Sequence, residues 1–302
     1  MSVAAVDPPD VLSAHRGVVV VEDCEVAFLR FGRRGAPPMI FAHANGFCAS
    51  AYRQMLNFIK DGFDIFAIDQ RGHGRTRLPA DPKRRSDMSL FGDDLLRIME
   101  NIAARFDIAG EWTLAGHSMG GVACVFAASK SGRVSAVRLI EPVVVPDRYR
   151  LLARLPGYRS QARKSPLVRA ALSRRSRWPG REAVLDSYRT KALFSTWRAG
   201  VLEDYLTDGL KHDDDGVRLA CAPEWEASNF MAFGHDFWGA LKKIRAPVAV
   251  LGARHASSTL MGDAADRFRR AGAQVIRADG VTHLIPFEKP DLAARFLLGE
   301  PV

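Results

Sequence analysis

The run Thr113-Leu114-Ala115-Gly116-His117-Ser118-Met119-Gly120-Gly121 constrains the fold more than any other stretch of the chain. A short apolar β-type segment leads directly into GxSxG, and a helix of small and apolar residues begins at Met119. The glycines are needed because such a strand-to-helix turn is strained and its neighbours pack closely, which lifts the Ser118 hydroxyl above the strand end. The Met119 amide then lies at a helix N-terminus, where an N–H without a helical partner can stabilise an oxyanion.

The rest of the sequence supplies a sheet for that turn. Val18–Val21 and Val26–Phe31 are β-rich and separated by Glu22-Asp23, which predicts an antiparallel hairpin. Met39–Ala42 and Ile65–Ile68 are runs suited to buried strands, with a helix predicted between them over about residues 50–60. Residues 88–106 carry Leu95, Ile98, Met99 and Ile102 at helical spacing behind a capping Asp87. After Trp112–Ala115 and its helix comes the strand Ala136–Ile140. Strand and helix then stop alternating. From about Pro146 to Phe237 the chain is Arg-rich and mostly helix-patterned, and alternation resumes with Val248–Leu251, a helix, Gln274–Arg277 and a last helix. The expectation is an α/β fold: a mostly parallel sheet with helices on both faces. Its core spans residues 17–145 and 239–302, a helical cap is inserted over 146–238, and a flexible lead-in occupies 1–16.

Composition narrows the setting. In 302 residues, 47% are hydrophobic and 25% charged, enough for one sizeable core. No segment approaches about 18 uninterrupted apolar residues, so no membrane span is expected. The N-terminus lacks the basic start and apolar core of a secretory signal, and the cytoplasm is the expected compartment. Cys24, Cys48, Cys124 and Cys221 are scattered, which predicts free thiols rather than a zinc site or a disulfide framework. Net charge is +9, and the excess is local: residues 147–198 hold fourteen Lys and Arg against Asp147, Glu182 and Asp186. A basic surface of this kind meets nucleic acid, anionic lipid or acidic substrates, or is a solvated face of paired arginines. No nucleic-acid-binding motif accompanies it, so no nucleic-acid partner is expected.

Further motifs stand where strands end. His43-Ala44-Asn45-Gly46-Phe47 follows one predicted strand, Asp69-Gln70-Arg71-Gly72-His73-Gly74 the next, and Gly280-Val281-Thr282-His283 the last. In this order, with the GxSxG turn between them, the chain resembles the α/β-hydrolase superfamily from about Val18 to Leu298. It is similar to a subgroup with HANGF in the oxyanion loop and Arg-Trp-Pro in the lid, here Arg177-Trp178-Pro179. The resemblance implies Ser118 as nucleophile, His283 as general base, and the Met119 backbone as first oxyanion donor. The second donor is the residue two past the loop histidine, Asn45, whose side chain either adds a hydrogen bond or stabilises its own turn. His43, Asp69, Arg71 and His73 are expected to support loops, and His117 to pack or position. His235-Asp236 is expected to cap a helix, and His212 with Asp213-Asp214-Asp215 to be an exposed turn rather than a metal site.

The acid departs from the usual pattern. The resemblance places it in Gly-x-x-Asp after the strand Val248–Leu251, but the chain has Gly252-Ala253-Arg254-His255 and no carboxylate until Asp263. Glu141, at the end of the preceding strand, is the leading substitute, against a structural or substrate-facing role for it. Asp263, Asp266 and a Ser118–His283 dyad are the other readings.

The expected activity is that of a serine hydrolase of carboxylesterase or lipase type. It would cleave a carboxylic ester, lactone or thioester through an acyl-enzyme, with no cofactor and no metal. The alternatives are a non-hydrolytic small-molecule binder, motivated by the missing acid, and an acyltransferase. Phe47, Trp178 and Phe233 are candidate substrate-binding residues; at helical spacing the cap aromatics can equally be the cap's own core. The expected partner is a small ester-type substrate, and a homodimer is left open.

Overall fold

The hairpin at the start of the sheet turns on two residues that accept positive φ. In the computed structural model, which describes residues 14–83 and 87–302, β1 (His15–Val21) and β2 (Cys24–Gly32) pair antiparallel. They close through Glu22 and Asp23, at φ 51° and 58°, as a two-residue hairpin of matching twist requires. Of the lead-in expected over residues 1–16, residues 1–13 lie outside the described residues, and His15 and Arg16 already belong to β1.

The strands β3 (Pro38–Ala42), β4 (Asp64–Ile68) and β5 (Trp112–His117) are buried along their whole length. Continuous apolar runs of this kind suit strands covered on both faces. β6 (Val134–Ile140) follows. The helix Ser89–Phe106 turns Phe91, Leu95, Ile98, Met99 and Ile102 into the core, and the Asp87 carboxylate accepts its first N–H, from Ser89, at 2.8 Å. The helix expected over residues 50–60 is shorter. It forms as a 3₁₀ turn, Ala49–Tyr52, and one α-turn, Arg53–Asn57, with the Ala49 N–H held by Asp69 Oδ1 at 2.8 Å.

After β6 the chain leaves the sheet and forms short helices together with a small antiparallel sheet of β7 (Arg177–Trp178), β8 (Leu210–Asp213) and β9 (Gly216–Leu219). The acidic run at Asp213 is the turn of the β8–β9 hairpin. These strands have two to four residues, too few for an alternating pattern to register. The chain returns through β10 (Val248–Ala253) and β11 (Gln274–Ala278), and the helix Pro290–Leu298 closes it. The large sheet has the order β1-β2-β4-β3-β5-β6-β10-β11, parallel from β4 onward.

Register places the chemistry. β5 and β6 are level at His117 and Ile140, and β6 and β10 at Ile140 and Leu251. Ser118 N–H bonds the Ile140 carbonyl at 2.9 Å, and Glu141 N–H bonds that of Leu251 at 2.8 Å. Both residues therefore step off the same carboxyl edge of the sheet, where ligands bind in open parallel sheets.

The turn after β5 leaves no room for a methyl group. A Cβ on Gly120 would meet the Ala42 carbonyl oxygen at 2.0 Å, and one on Gly116 the Gly120 oxygen at 2.4 Å. Gly120→Ala is expected to lose more than about 4 kcal/mol, because backbone on both sides cannot yield. Gly35→Ala, at φ 79° with nothing within 4 Å, should lose only about 1–2 kcal/mol. Urea unfolding of the two variants compares them directly.

Candidate active site

Ser118 is held at φ 55° and ψ −113°, a strained backbone for a residue with a side chain. The strain aims its hydroxyl away from the helix it precedes. His283 Nε2 lies 3.1 Å from Ser118 Oγ, and His283 Nδ1 lies 3.1 Å from Glu141 Oε2. A carboxylate only accepts, so Nδ1 carries the proton of the neutral ring and the Nε2 lone pair faces the serine. Glu141 is fully buried and Ser118 is 7% exposed.

The Glu141 carboxylate is anchored by more than the histidine. Ala253 N–H donates to Oε1 at 2.7 Å, while the Ser257 and Thr259 hydroxyls donate to Oε2 at 2.8 and 2.9 Å. It reaches these donors by crossing from β6 over the end of β10. A Cβ on Gly252 would stand 2.3 Å from Leu260 Cδ1 and 2.9 Å from Oε1, so a side chain there would displace the Leu260 methyl and crowd the carboxylate. The other acid candidates are elsewhere. Asp263 pairs with Arg270 and Asp266 with Arg269 on the surface, and His255, at the usual acid position, is 83% exposed beside Asp279.

The Met119 amide opens the helix Met119–Ala128, and the Asn45 amide lies in the loop after β3. Among the described residues neither N–H has a protein partner, which leaves both available to a ligand oxygen. The Asn45 side chain is not available. Its Nδ2 donates to the Glu226 carbonyl at 3.0 Å, and its Oδ1 accepts from Asn229 Nδ2 at 2.7 Å. It ties the loop to the insertion between β6 and β10.

A buried chain of hydrogen bonds runs beneath the site. Ala44 N–H donates to the Tyr52 hydroxyl at 3.0 Å, Tyr52 donates to His117 Nδ1 at 2.7 Å, and His117 Nε2–H donates to the His283 carbonyl at 2.9 Å. The direction is forced by the carbonyl at its end. Burial, and then the neighbouring His283, push the His117 pKa well below the ordinary value and keep it neutral. His43 accepts the Gln70 N–H and His73 accepts the Gly46 N–H, so each bonds across between the His43–Phe47 and Asp69–Arg75 loops. Asp69 accepts from the Ala49 and Arg75 amides, and Arg71 grips Asp94 with two bonds of 2.7 Å. Asp236 caps its helix through Gly239 N–H.

The aromatic candidates separate. Phe47 packs against Phe287 at 4.9 Å, Tyr205 at 5.3 Å and Trp197 at 5.8 Å, joining the Asn45 loop, the insertion and the helix after His283. Trp178 is buried in β7, edge-on to Tyr188 at 5.9 Å with Arg175 over its ring, which assigns it to the insertion's own packing. Phe233 is half-buried and lines a 690 Å³ cavity with Phe230, Leu152 and Leu155. Tyr52, Ser257, Thr259 and Phe287 were not legible as site residues. Only the fold brings hydroxyls from residues 257 and 259 to a carboxylate at 141. Among the described residues no group of three or more His, Cys, Asp or Glu could hold a metal ion.

The Alpha/beta hydrolase family model matches residues 39–296. The chain belongs to the α/β-hydrolase family. It is 32% identical over 131 residues to a non-heme chloroperoxidase of Streptomyces lividans, covering 42% of this chain and 45% of that protein. It is 32% identical over 107 residues to a bifunctional esterase/perhydrolase of Acinetobacter calcoaceticus, covering 35% and 36%. The chain thus matches less than half the length of these curated relatives. Among solved structures, E-2-(acetamidomethylene)succinate hydrolase superposes with a TM-score of 0.75 at 18% identity, over 95% of this chain and 98% of that one. The enol-lactonase of Burkholderia xenovorans LB400 does so with a TM-score of 0.64 at 19% identity, over 94% and 98%. At these identities the superpositions speak for the α/β-hydrolase fold.

The buried histidines of this α/β-hydrolase make its stability depend on pH. Burial lowers His43 from 6.5 to about 4. As pH falls below 6.5 the unfolded chain takes up the proton first, so the contribution of His43 is complete above about 6.5 and is lost progressively toward pH 4. From pH 7 to 5 the expected loss from His43 is about 2 kcal/mol, and His117 adds to it in the same direction. Urea unfolding at the two pH values checks this; His43→Gln should show a shallower pH dependence than the parent chain.

Proposed function

We propose that this chain is a serine hydrolase that cleaves carboxylic esters, lactones or thioesters through an acyl-enzyme on Ser118. The observation that carries the reading is the line Glu141 Oε2, His283 Nδ1, His283 Nε2 and Ser118 Oγ, with 3.1 Å at both junctions. His283 Nε2 takes the Ser118 proton as Oγ attacks the carbonyl carbon. The oxyanion forms against the Met119 and Asn45 amides, each worth about 10²–10³ in rate. Glu141 stabilises the imidazolium, which passes its proton to the leaving oxygen or sulfur as that bond breaks. Water, deprotonated by His283, then adds to the acyl carbon; the acyl–Oγ bond breaks, His283 returns the proton to Ser118 Oγ, and the acid is released. No step calls on a cofactor.

Support comes from the relatives named as an esterase/perhydrolase and an enol-lactonase. With Glu141 beside His283, the vacancy at His255 gives no reason to prefer a non-hydrolytic binder. Acyl transfer to an alcohol would use the same acyl-enzyme with the alcohol in place of water. Residues 146–238 act in this scheme as a cap over the site, with Phe47 an aromatic of the same loop as the Asn45 donor.

A fluorophosphonate probe should label the parent chain and leave Ser118→Ala unlabelled. Turnover of a short-chain p-nitrophenyl ester should fall by about 10⁵–10⁶ in that variant. Folded parent protein that is neither labelled nor active, or a Ser118→Ala variant of undiminished turnover, contradicts the proposal.

A further inference from the structure

The insertion carries a surface on which aliphatic side chains are exposed beside cations that have no carboxylate partner among the described residues. Between residues 147 and 169 there are seven Arg and Lys and a single acidic residue, Asp147, and that one is taken by Arg267 at 3.0 Å. Arg150 pairs with Asp236, and Arg159 donates to the Pro82 carbonyl. Arg148, Arg154, Arg163, Lys164 and Arg169 are exposed and have no carboxylate partner among the described residues. Elsewhere on the insertion several arginines are paired: Arg177 meets Asp213, Arg189 meets Glu203 and Arg198 meets Asp291.

The same stretch leaves most of its large apolar side chains exposed. Leu151 is 61% exposed, Leu155 57% and Leu167 64%, with Tyr149 and Leu152 also exposed. Three of them come together: Tyr149, Leu152 and Leu155 line one 690 Å³ cavity with Lys164, Phe230 and Phe233. A cluster of exposed aliphatic groups calls for a covering partner, and the charge selects which one. A second copy of this chain would bring like charge onto like charge. A lipid surface with anionic headgroups meets both features: leucines enter the acyl boundary, while the long Arg and Lys stems reach the phosphates.

We propose that the face formed by residues 148–169 docks on anionic lipid surfaces. The inference does not depend on the hydrolytic reading, because Ser118, His283 and Glu141 take no part in it. Each basic residue near an anionic surface contributes about fivefold to partitioning, and salt screens that contribution.

Sedimentation of the full chain tests the proposal, using vesicles of phosphatidylcholine alone and of phosphatidylcholine with one third phosphatidylglycerol. Binding is expected to the mixed vesicles, weakening as salt is raised. Arg154→Gln/Arg163→Gln/Lys164→Gln should lower the partition coefficient about a hundredfold, and Leu151→Ser/Leu155→Ser/Leu167→Ser about tenfold or more. Circular dichroism and the thermal transition establish that both variants fold, as their exposed positions allow. Absence of binding, equal binding to neutral vesicles, or undiminished binding by either folded variant overturns the proposal. So does retention on duplex DNA without uptake by vesicles.

Discussion

A wholly buried carboxylate at the carboxyl edge of the sheet needs donors, and the end of β10 is built to supply them to Glu141. A backbone amide from Ala253 and hydroxyls from Ser257 and Thr259 hold its two oxygens before His283 is counted. Left without those bonds, the group would bear a desolvation penalty of several kcal/mol. The arrangement depends on the pairing of β6 with β10, which sets Glu141 one residue beyond the Ile140–Leu251 level, and on the missing side chain at Gly252. With the carboxylate fixed, the His283 ring has one tautomer that satisfies both neighbours. The strained Ser118 backbone supplies the second neighbour. Shape, tautomer and the Ser118 hydroxyl are thus linked through one residue.

The insertion is bound to the same edge by polar contacts. Asn45 spans to Glu226 and Asn229, Trp225 donates to the Arg71 carbonyl at 3.0 Å, and Tyr205 donates to that of Gly46 at 3.2 Å. Glu226 itself is buried and paired with Arg174 at 2.9 Å, with burial pushing its pKa up. Any shift of the helix Pro223–Asn229 pulls on the loop that carries the Asn45 amide. Under the proposed function, the position of the Asn45 donor is therefore mechanically connected to that helix.

What the sequence disclosed follows from the range of the interactions involved. The elbow was legible because one of its glycines answers to a contact a few residues away, Gly116 against Gly120, although Gly120 itself answers to the distant Ala42 carbonyl. Core strands were legible from continuous apolar runs. Glu141 was legible only as a carboxylate at a strand end, since its donors lie 112 to 118 residues later. The Asn45 side chain pointed to a turn or an oxyanion, and its partners lie 181 and 184 residues away. The small sheet of the insertion escaped because two to four residues carry no period. Clustering of arginines was visible as composition, but which of them are paired is a property of the folded surface.

The relocation of the acid to Glu141 is the central claim, and kcat/KM of Glu141→Gln on a short-chain aryl ester measures it most directly. Glutamine keeps the shape and removes the charge that stabilises the imidazolium. A loss of about 10⁴-fold in a folded variant is the predicted result. A folded Glu141→Gln protein that turns over the ester within a few-fold of the parent chain would contradict it.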